Sequence, residues 1–289
     1  MSYPFKQEMI KNYDFKPYRK IEAMNKSLLS HALKSMAHFH EQQINPPAIS
    51  PITQHNFDMG HCAEYLLTGG QKEFNKHAIV AGEKINKATK AGKAMYAGLL
   101  EYANGRIILS PDDYEKIQGM VNTALAHPVV KKYLVDQEYD TSVAVTGIDP
   151  DSGEPIKGLI DVLPRSGKVA IDIKTTIDAS PSGAVRAISK FTYFLQAAMY
   201  TDLLHMNGVN IKEFVFIFCE KSSPYAVGVY TLSSESIEQG RRDYKRLLKA
   251  YSECKKSDYW PAYSDYIEEI ALPLWCMDDE PVTLGGVAI

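Results

Sequence analysis

Residues 156–176 read IKGLIDVLPRSGKVAIDIKTT. Apolar and β-branched residues fill two runs, 156–164 and 168–176, and Arg165-Ser166-Gly167 between them is a turn signal. The stretch therefore predicts two antiparallel strands. Asp161 falls near the middle of the first, and Asp172 and Lys174 fall on the second. Residues two apart on a strand project to one face, so Asp172 and Lys174 point together while Ile171 and Ile173 point into a core. Pairing across the turn brings Asp161 close to Asp172.

Two carboxylates and a lysine gathered in this way are costly as pure architecture, because like charges repel and each loses hydration. A divalent cation removes that cost. Mg²⁺ or Mn²⁺ takes carboxylate oxygens, a backbone carbonyl, water and phosphate oxygens. Such an ion polarises a phosphoryl group and acidifies a water, and a neighbouring lysine can orient that water or offset transition-state charge. On this fragment alone, a surface hairpin with an exposed salt bridge fits the same spacing.

Upstream of the hairpin, TSVAVTGID (141–149) reads as a strand closed by the turn DPDSGEP, which makes a three-stranded meander. Downstream come an aromatic helix at about 186–206, strands at 210–221 and 225–232, and an amphipathic helix at 233–256. The N-terminal part is helical. One helix is expected over 25–41, then a Pro-rich loop over 44–54. A second helix runs from Phe57 to Gly69-Gly70, and a third from Pro111 to about Ala126. This order predicts an α/β fold with a central mixed sheet flanked by helices, in one domain over 1–289. Within it, 1–56 is a basic helical segment, 57–275 the core and 276–289 a Gly-rich tail expected to be flexible.

Composition narrows the function classes. The chain has 289 residues, 45% hydrophobic, and no apolar run long enough to span a membrane. Its first residues lack the apolar segment of a signal peptide, and its four cysteines are scattered, so a cytoplasmic protein with free thiols is expected. The net charge of −3 neither announces nor excludes a nucleic-acid partner. Lys and Arg do cluster, at Arg19, Lys20, Lys26 and Lys34 and again at Arg241, Arg242, Lys245, Arg246 and Lys249. Each cluster reads equally well as solvated surface or as a phosphate-contacting patch.

Two helices add polar groups to the candidate site. Glu64 follows Gly60 by about one turn, and a small residue there would allow close approach of another backbone. Gln196 and Tyr200 are spaced i, i+4 and share a helix face, from which their polar ends could reach a phosphate or the attacking water.

Taken together, SLLSHALKSMAHF, the MG-x3-E helix, DPDSGEPIKGLID, AIDIKTT, LQAAMYTD and the DYWPAYSDYIEEIALPLW segment resemble the RecE-like exodeoxyribonuclease VIII branch of the PD-(D/E)XK nuclease superfamily. The resemblance implies that Asp161, Asp172, Glu64 and the Ile173 carbonyl bind Mg²⁺ or Mn²⁺. It makes Lys174 the motif lysine and Gln196 and Tyr200 the branch's Q-x3-Y pair. It further implies degradation of double-stranded DNA from its ends with 5′→3′ polarity, a single-strand annealing protein as recombination partner, and a homo-oligomeric ring. Two departures stand out. Ile160 replaces the proline that names the motif, and the acidic residue expected one strand earlier has no good match, Glu138 lying slightly upstream. Relatives with an iron–sulfur cluster carry clustered cysteines, whereas Cys254 and Cys276 are far apart here and Cys219 sits on a strand. An endonuclease or single-strand nuclease on the same fold, and a DNA-binding subunit that has lost cleavage, remain the alternatives.

Overall fold

The two strands of the opening stretch are present in a computed structural model that describes residues 5–273 and two short strands beyond them. The N-terminal segment contains β1 (Met9–Ile10), α1 (Phe15–Lys20), α2 (Lys26–Leu29), a 3-10 turn (Ser30–Leu33) and α3 (Met36–Ile44). Next come α4 (Pro51–His77), β2 (Ala78–Val80), α5 (Lys90–Ala103), β3 (Ile107–Leu109), α6 (Pro111–Ala126) and α7 (Pro128–Leu134). The centre holds β4 (Tyr139–Ile148), β5 (Pro155–Pro164) and β6 (Val169–Thr176). They are followed by α8 (Pro181–Lys190), α9 (Tyr193–Met206), β7 (Glu213–Glu220), β8 (Val227–Thr231) and α10 (Ser234–Ser257). The expected flexible tail lies outside the described residues, except that β9 (Thr283–Leu284) pairs with β10 (Val287–Ala288).

Six strands form one mixed sheet in the order β1-β4-β5-β6-β7-β8. Only β6 and β7 run parallel, joined by the α8–α9 crossover, as parallel neighbours require. Each face of the sheet is covered. Phe39, Ile160, Leu195, Met199, Phe216 and Tyr244 belong to the core on the α9 and α10 side. Met59, Phe74, Ile117, Val162, Ile171 and Ile217 belong to the core on the α4 and α6 side. Burial of each such side chain stabilises the fold by roughly 1.5–3 kcal/mol. Among the described residues, no helix is long and apolar enough to cross a membrane.

Three expected helices are placed differently, each for a local reason. The helix over 25–41 is broken because Ser35 adopts an extended backbone and its hydroxyl accepts the His38 N–H at 3.2 Å, starting α3 afresh. The loop over 44–54 ends early, since Ser50 caps α4 and Pro51 takes its first position. The helix that begins at Pro51 does end at Gly69-Gly70, and a second, short helical stretch continues α4 beyond it. Gly70 takes φ +62° and bends the chain, and helical backbone resumes until His77, with Phe74 buried in the core. The aromatic helix is likewise two helices, divided where Thr192 takes φ +54°.

The basic cluster on α10 is largely spent inside the molecule. Arg241 grips Asp202 through Nε at 2.8 Å and Nη2 at 2.7 Å, and the Tyr244 hydroxyl donates to the same carboxylate at 2.5 Å. Lys245 pairs with Asp151, and Arg246 pairs with Asp243. Arg241 and Lys245 therefore tie α10 to α9 and to the β4–β5 turn. Cys62, Cys219 and Cys254 are buried free thiols, and Cys276 lies outside the described residues.

Candidate active site

Strands β5 and β6 part at Asp161. Val162 pairs with Ile171, and no further pair follows between these strands. The Asp161 carboxylate takes over a ladder position, its Oδ2 accepting the Ile173 N–H at 2.7 Å. Face alternation breaks at the same point, for Ile160 packs in the α9-side core and Val162 in the α4-side core. On the neighbouring strand, register places Ser142 opposite Asp161, and Ser142 has φ +44°, an uncommon backbone for serine. The irregularity turns Asp161 toward β6 instead of leaving it in a regular pleat.

Asp172 lies deeper, at 1% exposure. Gln196, from α9, donates its Nε2 to Asp172 Oδ1. Lys174 Nζ stands 2.5 Å from Asp172 Oδ2, and that oxygen has no other polar partner among the described residues. Burial alone would pull the Lys174 ammonium down, but Asp172 and Asp161 more than offset it and the net shift is upward. The ammonium also lies 4.7 Å from the centre of the Tyr193 ring.

Glu64 approaches from α4. Burial, then the Asp172 charge, pushes its carboxyl up to about 7, with Lys174 acting in the opposite sense. Asp161 is pushed well above the usual carboxylate range by burial, then by Glu64 and Asp172. The sequence-derived Glu64, Asp161, Asp172, Lys174 and Gln196 thus meet in one place. Gly60 plays a smaller part than its size suggested. A Cβ there would sit 3.6 Å from Thr175 Oγ1, an ordinary contact that needs no glycine.

Tyr200 is buried on α9, near enough to Asp172 and Asp161 to feel their charges. Burial and the neighbouring Tyr18 hold its phenol well above the usual range. Its ring lies flat on Gly158, where a Cβ would come within 2.8 Å of the ring. Tyr200 therefore seats α9, and with it Gln196, against β5. Gly158→Ala is expected to lower stability by about 1–3 kcal/mol through overpacking. Adding Tyr200→Leu should recover part of that loss, and a thermal double-mutant cycle measures the coupling.

Two residues at this site escaped the sequence reading. Tyr193 precedes Gln196 by three positions on α9, a spacing that would have flagged it. Lys26 counted only as one of the basic N-terminal residues, yet it is 8% exposed, donates to the Phe191 carbonyl and lies 5.2 Å from the Tyr193 ring centre. Burial, then Lys174, pushes its ammonium down to about 8. Glu138 has a side chain that is 77% exposed and paired with Arg165.

The donor set suits a hard divalent cation, since it offers carboxylate oxygens, one of them buried with only an ammonium for company. Among the described residues, no three His, Cys, Asp or Glu side chains converge as a finished cage.

Comparison with known proteins agrees with this architecture. The family model described as a PDDEXK-like domain of unknown function matches residues 26–273. A crystal structure of a proposed exonuclease from Eubacterium rectale overlays with a TM-score of 0.56 at 12% identity, covering 93% of this chain and 97% of that one. A phage-related exonuclease from Haemophilus somnus 129PT overlays more loosely, with a TM-score of 0.33 at 14% identity over 68% of this chain and 95% of that one. No protein with a curated description matches.

Proposed function

The chain belongs to the PDDEXK-like domain family, and from that membership we propose that it is a divalent-metal-dependent deoxyribonuclease acting from DNA ends. The observation that carries the reading is the parting of β5 and β6 at Asp161, which sets Asp161 beside the buried Asp172–Lys174 pair, with Glu64 close enough to feel their charges. Burial, then the neighbouring carboxylates, pushes the Glu64 and Asp161 carboxyls upward, a cost that a bound cation would relieve.

In this reading Asp161, Asp172, Glu64 and the Ile173 carbonyl would hold Mg²⁺ or Mn²⁺. Such an ion supplies Lewis-acid polarisation of the scissile phosphate and acidification of water. Lys174 is charged and rigidly held between Asp172 and Tyr193, so it is placed to meet negative charge growing on the phosphate. Gln196 fixes the rotamer of Asp172 through its amide. Tyr200 keeps α9 in register with β5.

End dependence extends to this chain the exonuclease description attached to the Eubacterium rectale structure. Polarity from 5′ to 3′, a ring-shaped oligomer and a single-strand annealing partner extend it further, on the sequence resemblance alone. The test compares substrates. Linear duplex is expected to be consumed to short products, while covalently closed circles survive the same dose of enzyme. Labels at one chosen end read the polarity. Nicking of closed circles as fast as linear duplex disappears would replace the exonuclease with an endonuclease.

A further inference from the structure

A ladder of aromatic rings runs beside the candidate site and has no part in the chemistry above. Phe15 on α1 lies 5.4 Å from His61 on α4, centre to centre. His61 lies 6.3 Å from Tyr65 at an interplanar angle of 29°, and Tyr65 lies 4.2 Å from His77 at 22°. His61 and Tyr65 are spaced i, i+4 on α4 and share a face, while Glu64, three residues after His61, flanks that face. The bend at Gly70 redirects the end of α4, the part that carries His77. Behind its outermost member, the ladder is half-buried. Phe15 itself is 41% exposed, although it is a phenylalanine on a helix that carries Lys16, Arg19 and Lys20.

We propose that Phe15, buttressed by His61, Tyr65 and His77, is a stacking platform for an unpaired base at a DNA end. The inference rests on the deoxyribonuclease reading and names the part of the substrate this face would take. Three observations favour a base. The ladder lies beside the site, with Tyr65 close enough to feel the Glu64 charge and His61 the Lys174 charge. The Arg19 guanidinium lies 5.7 Å from the Phe15 ring centre, so a flat ring and a cation for the adjoining phosphate are offered together. The carboxylates near the inner rings, Asp58 beside His61 and Asp14 beside Tyr65, oppose a phosphate chain laid along the ladder but not an uncharged base. Stacking on a ring tolerates any sequence, as an enzyme that degrades whole strands requires.

The test uses the full chain with Ca²⁺ replacing Mg²⁺, so that binding is read without cleavage. The probe is a short single strand carrying 2-aminopurine at one terminus, one probe for each end. Wild-type protein is expected to quench the fluorescence of one of the two probes. Phe15→Ala should abolish that quench and weaken single-strand binding about tenfold, the scale of one lost stacking contact. Phe15→Tyr should retain both, and thermal melting confirms that the exposed substitution leaves the fold intact. Unchanged quench and affinity in Phe15→Ala would overturn the platform. Duplex cleavage in Mg²⁺ is measured in parallel. Wild-type protein that cuts DNA while Phe15→Ala shows no defect sinks the platform alone. Wild-type protein that neither binds nor cuts DNA sinks the nuclease reading and takes the platform with it.

Discussion

Asp172→Asn and Asp161→Asn are each expected to reduce Mg²⁺-dependent cleavage of linear duplex by about 10³-fold or more. Each removes one negative oxygen donor while keeping the side chain's shape. Loss of several kcal/mol of transition-state charge stabilisation corresponds to a rate loss of that order. EDTA should produce the same loss in the wild-type protein, and full activity in EDTA would overturn the metal assignment. The two variants also carry a signature that activity cannot show. In the metal-free protein, burial and mutual repulsion raise the Asp161 and Glu64 carboxyls above their unfolded values, Glu64 to about 7. Between the unfolded and folded values, the folded state holds protons that the unfolded state has released. Stability contributed by these groups is therefore present at low pH and lost as pH rises toward the folded pKa. Without metal, the wild-type protein should melt a few degrees higher near pH 5.5 than near pH 8, and Asp161→Asn should flatten that slope. A metal-free melting temperature that rises with pH over the same interval in wild type, and does so equally in Asp161→Asn, would contradict the crowding of carboxylates.

The hairpin was readable in the sequence because a period of two and a turn signal are local properties, and DIK places its two charges on one face by spacing alone. A mixed sheet was readable too, and its one parallel pair, β6–β7, is joined by a crossover long enough to hold helices. What escaped is what depends on a third element. Ser142 at φ +44° has no mark in TSVAV, yet it lies opposite Asp161 where the strands separate. Ser35 looks like an interior helix residue until its hydroxyl is seen capping α3. Lys26 reads as one surface lysine among several, and only its burial against Phe191 and Tyr193 makes it part of the site. Arg241 reads equally as solvated surface or phosphate contact and is instead held by Asp202, a partner 39 residues away in the chain. For Lys26 and Arg241, local pattern gave the residue a default role, and a neighbour distant in the chain assigned the real one.

Lys174→Ala is expected to separate binding from chemistry. An ammonium has no lone pair to give a metal ion, so the variant should keep the proposed donor set and bind DNA in Ca²⁺ close to wild type. Cleavage should fall by about 10²–10³-fold, the usual effect of removing one charged or hydrogen-bonding group that acts at the transition state. Stability makes the argument sharper. Lys174 neutralises Asp172, whose Oδ2 is buried and has no other polar partner among the described residues. Removing one member of a buried pair leaves an uncompensated charge and costs on the order of 3–5 kcal/mol. The metal-free variant should therefore melt well below wild type. If a cation binds at Asp172, it supplies the missing positive charge, and Mg²⁺ should raise the melting temperature of Lys174→Ala more than that of wild type. A lysine with a purely structural role predicts the opposite pair of results: a melting deficit that Mg²⁺ leaves unchanged, and near-normal cleavage once the protein is folded. Those outcomes would remove Lys174 from the mechanism, and the first of them would also detach Asp172 from the metal.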